Sequence, residues 1–137
     1  MRKKFLMFIA VIVTIVLVDV WFRSINMNEL KDIFLGDIEE ITIHDPVGYY
    51  TIDEQKDVQL IFEVLQSMHL SRKINSHKDG FAFLIDIKLY DGEIIEICVL
   101  SNDIHINRHN YKPDKDYINY IREIYNKLSQ KYENYPA

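Results

Sequence analysis

The sequence predicts an α+β fold: an antiparallel sheet of about five strands in the order β-β-α-β-β-β-α, with the helices on one face, preceded by an N-terminal transmembrane helix. Three observations carry this. The chain opens on a long apolar run flanked by positive charges. Two later stretches repeat apolar residues at helical spacing. Between them "FAFLIDIKLYDGEIIEICVL" alternates apolar and polar residues on both sides of Asp91-Gly92, the pattern of a hairpin.

Arg2, Lys3 and Lys4 precede a run that carries no charge from Phe5 to Val18. That length suits the core of a signal peptide and is short for a membrane span. Beyond Asp19 the run continues through Val20, Trp21 and Phe22, reaching about 18 residues, enough to cross a bilayer if one carboxylate sits at the interface. Trp21 and Phe22 suit the headgroup layer. Signal peptidase needs small residues after the run, and only Ser24 is offered; lipoprotein processing needs a cysteine there, and the single cysteine is Cys98. An uncleaved anchor over residues 1–23 is the favoured reading, and a domain secreted after cleavage is its alternative. Three positive charges before the run against Arg23 after it put the domain on the extracellular side of the cytoplasmic membrane.

Residues 24–37 read as a connector, in which Asn28 caps a short helix with an apolar face at Leu30, Ile33 and Phe34, stopped by Gly36. The domain proper, 38–137, begins with a hairpin: Ile41 and Ile43 alternate, Asp45-Pro46-Val47-Gly48 turns, and Tyr49 and Tyr50 return. Thr51 with Glu54, or Asp53, caps a helix over about residues 54–68, where Val58, Ile61, Leu65 and Met68 recur at helical spacing. "SRKINSHKDG" is a basic, turn-rich loop. In the central hairpin a two-residue loop would mix apolar and charged residues on both faces. A three-residue loop, Tyr90-Asp91-Gly92 with Gly92 left-handed, pairs Ile87 with Ile95, Ile85 with Ile97 and Phe83 with Val99, and is therefore expected. "IHINRH" supplies a third antiparallel strand. A C-terminal amphipathic helix follows Pro113, with Asp114 and Asp116 in its first turn and Tyr117, Ile121, Ile124 and Leu128 inward.

Composition narrows the function. At 137 residues, 48% hydrophobic and 27% charged, the chain has room for one globular domain beside the anchor. From Ser24 onward it holds 12 Lys and Arg against 20 Asp and Glu, a balance of −8 against −5 for the whole chain. Such a domain repels phosphate backbones, so nucleic acid is excluded as a partner and a cationic peptide or envelope protein is favoured. One cysteine allows no intrachain disulfide. No glycine-rich phosphate loop, serine nucleophile elbow or zinc-protease helix motif occurs, so neither catalysis nor a cofactor is expected.

Several residues are weighed as sites. In "DIHINRH" the set Asp103, His105, Asn107 and His109 shares one strand face, with His105 and His109 about 13 Å apart, too far for one metal. A site from His105 with Asp103 or Asn107 fits the geometry, yet a solvated face needs the same residues, and no metal is expected. Asp86 and Glu96 fall opposite each other on the outward face with Lys88 near to screen them. As an acid and base pair they would need a desolvated pocket, so they read as surface charge. Ala82, Leu84, Cys98 and Leu100 are apolar where that face should be solvated: the connector covers them, or they are a contact surface. Cys98 reads as a small hydrophobe. Arg72, Lys73, His77 and Lys78 form the cationic cluster of an acidic domain. Leu84, Leu100 and these four basic residues are the candidate binding residues.

With "DVQLIFEVLQSM", "LIDIKLYDGEIIEICVL" and "YKPDKDYINYIREIYNKL" in this order, the chain from Ile38 to Leu128 resembles the small extracytoplasmic domains of unknown function carried by lipoproteins and membrane-anchored proteins of Gram-positive bacteria. It departs from them in lacking the lipoprotein cysteine, which favours a protein anchor. The resemblance implies a non-enzymatic envelope domain. The expected function is thus an anchored protein- or peptide-binding module; an immunity-type protein against an envelope-active cationic peptide is the alternative, and an envelope hydrolase ranks below both.

Overall fold

The computed structural model describes residues 1–73 and 80–137. Its elements, in chain order, are α1 (Arg2–Ser24), β1 (Ile38–His44), β2 (Gly48–Ile52), α2 (Gln55–Ser67), β3 (Leu70–Arg72), β4 (Phe83–Leu89), β5 (Ile94–Val99), β6 (Ile104–Ile106), β7 (His109–Pro113), α3 (Ile118–Leu128) and β8 (Tyr135–Pro136).

α1 is apolar on every side, and none of its window Arg2–Phe22 is buried against the rest of the chain. Its Thr14 hydroxyl donates to the Ala10 carbonyl at 2.8 Å, so this polar group is satisfied within the helix. Among the described residues it is the one helix long and apolar enough to cross a membrane.

The strands form one antiparallel sheet of eight, ordered β3-β7-β6-β5-β4-β1-β2-β8. This corrects the expected number of about five. The additional strands, β3, β7 and β8, hold 3, 5 and 2 residues. β3 and β8 are too short to display an alternating pattern of their own, and β7 is hidden because Asn107 turns the chain inside a run that reads as one strand. The central hairpin has the expected register: Phe83 opposes Val99, Ile85 opposes Ile97 and Ile87 opposes Ile95. Gly92 takes φ 93°, and the Gly92 N–H donates to the Leu89 carbonyl at 3.0 Å.

The inner face buries Ile41, Ile43, Tyr50, Ile52, Ile85, Ile87, Ile97 and Val99 against Val58, Ile61, Phe62 and Leu65 of α2 and Ile121, Tyr125 and Leu128 of α3. Both helices thus lie on one face. Tyr50 fixes α3 in place, because its hydroxyl donates to the Tyr125 carbonyl at 2.7 Å while the rings pack at 4.9 Å. α2 begins at Gln55 with Glu54 as its cap residue and no side-chain cap bond. The Thr51 hydroxyl, expected at that cap, is taken up across the first hairpin by Thr42 at 2.9 Å. α3 starts at Ile118, later than expected, with the Ile118 N–H donating to Asp116 Oδ1 at 2.9 Å.

The connector forms two 3-10 turns, Glu29–Asp32 and Leu35–Asp37. It does not cover the outward face of the sheet, as one sequence reading had it. Leu30 is wholly buried beside α2, Ile33 packs against the same core, and Phe34 is 74% exposed. The reason is polar: the last carbonyls of a helix need donors. The Asn28 side chain supplies them, donating to the Leu65 and Met68 carbonyls at 2.9 Å each and pinning the connector to the helical layer.

Candidate functional site

The outward face of the sheet is built by the registers of seven strands. Reading directly across, Tyr135 opposes Tyr49, Tyr49 opposes His44, His44 opposes Leu84, Leu84 opposes Cys98, Cys98 opposes His105, and His105 opposes Asn110. One row of side chains therefore crosses the sheet from β8 to β7. Its β8 end is aromatic: the His44 and Tyr49 rings stack at 4.9 Å and the Tyr49 and Tyr135 rings at 5.4 Å. Its centre is apolar, with Leu84 and Cys98 half-buried, and Ala82 and Leu100 half-buried beside them. All four keep open surface, and Ala82 also packs against the core.

The next row toward the hairpin tip is polar and acidic. Thr42 opposes Asp86, and Asp86 opposes Glu96. Lys88, expected to screen this pair, reaches instead to Glu39 at 3.2 Å and Glu40 at 3.7 Å. The neighbour of Asp86 is His44, with Nε2 at 3.6 Å from Oδ2. Glu96 is exposed, and the Asp86 side chain keeps 33% of its surface. Both carboxylates remain in contact with water.

Burial, and secondarily the charge of Glu96, push the Cys98 thiol up from its ordinary value, which disfavours the thiolate. That fits its reading as a small hydrophobe.

The expected common face for Asp103, His105, Asn107 and His109 does not exist. β6 ends at Ile106, Asn107 turns the chain with φ 53°, and His109 begins β7 opposite Ile106. His109 therefore lies on the inner side, where its Nδ1 meets Glu29 Oε2 at 2.9 Å, while His105 points outward. Asp103 is buried and paired with the Lys73 ammonium. Among the described residues no group of three or more His, Cys, Asp or Glu side chains could hold a metal.

Of the basic candidates, Lys73 is engaged with Asp103, Arg72 stands at the end of edge strand β3, and His77 and Lys78 lie outside the described residues. Sequence reasoning placed Leu84 opposite Cys98 on this face, as the register has it, and did not single out His44. The alternation in "ITIHD" places it on the outward face, but its neighbours there come from the pairing of β1 with β4, which no local pattern announces. Compared with known protein families, curated proteins and solved structures, the chain matches none.

Proposed function

We propose that this chain is a membrane-anchored, non-catalytic binding module whose outward sheet face takes a cationic peptide or protein segment on the extracytoplasmic side. The observation that carries the reading is the half-buried apolar group Ala82, Leu84, Cys98 and Leu100, bordered by the His44–Tyr49–Tyr135 stack and by Asp86 and Glu96. An apolar centre with an aromatic margin supplies contact area, and the acidic row selects positive charge. The likeness to small extracytoplasmic domains of Gram-positive envelopes supports the same placement, as does the charge asymmetry around α1. An immunity-type role against an envelope-active cationic peptide is the specific form of this function that the −8 domain favours.

The test is a photo-crosslinking amino acid placed in the full-length membrane protein at Leu84 or, as the control, at the exposed Glu63 of α2. A discrete basic partner captured from Leu84, not from Glu63, and lost when Leu100→Asp is added to a protein that still folds, is the expected result. Equal labelling from both positions, or capture that survives Leu100→Asp, would overturn the reading.

A further inference from the structure

The β3–β7 edge meets the end of the anchor without a tether. α1 ends at Ser24, and two residues later the chain is already fastened to the sheet: the Met27 N–H donates to the Leu70 carbonyl at 2.7 Å, and the Leu70 N–H donates to Asn26 Oδ1 at 3.0 Å. From Phe5 to Phe22 the helix rises about 27 Å, close to the roughly 30 Å hydrocarbon thickness of a bilayer. Whatever packs just beyond Phe22 therefore lies at the depth of lipid phosphates.

A cavity of ≈ 620 Å³ opens there, walled by Asp19 and Phe22 of α1 and by Arg72, Lys112 and Asp114 of the domain. A second, of ≈ 300 Å³, shares Arg72 with it and adds Arg108. Three carboxylates share these walls, and two of them accept from tyrosine hydroxyls, which orient them without cancelling their charge. Asp114 accepts from the Tyr117 hydroxyl, and Glu29 in the second cavity accepts from the Tyr111 hydroxyl and meets His109. Asp19 sits about one helical turn deeper than Phe22. Lys73, Lys88 and Lys131 each pair with a carboxylate, whereas Arg72, Arg108 and Lys112, like Lys31, Lys56, Lys115, Arg122 and Lys127, make no ion pair among the described residues. In a domain of charge −8, three such cations flank the place where the anchor enters.

We propose that the cradle between the C-terminal end of α1 and the β3–β7 edge binds the phosphate of an anionic phospholipid through Arg72 and Lys112, with Arg108 beside them. A phosphodiester monoanion matches the planar fork of Arg72 and the point charge of Lys112. Phe22 and Pro113 line the same cavity and receive the glycerol and first acyl carbons. The proposal rests on the reading of α1 as a membrane anchor, and it accounts for a basic edge on an acidic domain.

Trp21, the single tryptophan, abuts Phe22 with ring centroids 5.4 Å apart and serves as the probe. The full-length protein is reconstituted in phosphatidylcholine vesicles carrying a fixed share of brominated lipid, either phosphatidylcholine or phosphatidylglycerol, and quenching of Trp21 emission is measured. Stronger quenching by the brominated phosphatidylglycerol is expected, equivalent to an association constant about fivefold higher, the order expected of a basic residue at an anionic surface. The double variant Arg72→Gln, Lys112→Gln, checked for folding by circular dichroism, brings the two lipids to parity, while Lys127→Gln on the exposed side of α3 leaves the preference intact. Parity in the native protein, a preference retained by the double variant, or an equal loss in Lys127→Gln would overturn the proposal. Loss of the preference in millimolar inorganic phosphate at constant ionic strength would assign the cradle to a free anion instead of a lipid. Absence of quenching by either lipid would overturn the anchor reading itself, and the cradle with it.

Discussion

The side-chain amide of Asn28 donates to the main-chain carbonyl of Leu65 at 2.9 Å, inside the core and across 37 residues of sequence. The same nitrogen reaches the Met68 carbonyl, while Asn28 Oδ1 accepts from the Leu30 N–H at 3.0 Å. One amide thus closes the end of α2 and starts the connector. Asn28→Asp keeps the shape but replaces a donor with an acceptor facing carbonyls. We expect it to cost about 2–3 kcal/mol, lowering the melting temperature of the full-length protein in detergent by about 10 °C. A shift no larger than that of an exposed substitution such as Lys127→Gln would refute the role.

Asp57 is 7% exposed and accepts from Lys131 Nζ and the Tyr132 hydroxyl, both at 2.7 Å. The Lys131 ammonium holds its carboxyl below the ordinary value of 3.8 despite the opposing effect of burial, and Tyr132 adds to the lowering. Because the folded value is the lower one, the stabilisation is complete above pH 3.8 and declines as pH falls below it. Asp57→Asn should therefore melt below the native protein at pH 7, by about 1–2 kcal/mol, and the gap should close on acidification toward pH 2. A gap independent of pH would show that Asp57 acts by packing alone.

A Cβ on Gly48 would stand 2.5 Å from the Tyr135 carbonyl oxygen. Gly48 opposes Pro136, and β8 has only this short pairing with β2 to hold it. In Gly48→Ala the last strand should detach while the remaining seven stay paired. Amide exchange reads this directly: the Ala137 N–H, bonded to the Val47 carbonyl at 3.0 Å, loses protection, and the Asp45 N–H, bonded to the Gly48 carbonyl at 2.9 Å, keeps it. Loss of both would mean that β8 supports the whole first hairpin.

Cys98 should react with iodoacetamide at pH 8 several-fold more slowly than the same thiol in the unfolded chain, since burial and Glu96 raise it in the folded state. Faster alkylation in the native protein would mark an activated thiol and reopen the question of chemistry on the outward face.

The central hairpin was legible to the residue, because Ile85, Ile87, Ile95 and Ile97 share a face in only one register and Gly92 supplies the left-handed turn. α2 was legible from its apolar spacing, its limits lying within a residue of those expected. The edges were not. Leu70–Arg72 is too short to show a period, and its strand character comes from opposing Lys112 and Tyr111. The histidines were misplaced because Asn107 adopts a left-handed conformation that a non-glycine residue seldom takes, turning what read as one strand into two. Leu84 was located opposite Cys98 on the outward face, yet its aromatic border was hidden, since His44 meets Leu84 only through pairing between distant segments.

The seam at Asn26, Met27 and Leu70 sets the mechanical character of the molecule. With no stalk, an anchored domain cannot sweep a volume like a fishing line. Anchored as proposed, the domain would be left chiefly with rotation about the axis of α1, as a weathervane turns on its post. If α1 spans a bilayer and the outward face binds as proposed, capture becomes a search in two dimensions, and its rate should follow the surface density of the ligand more closely than its bulk concentration.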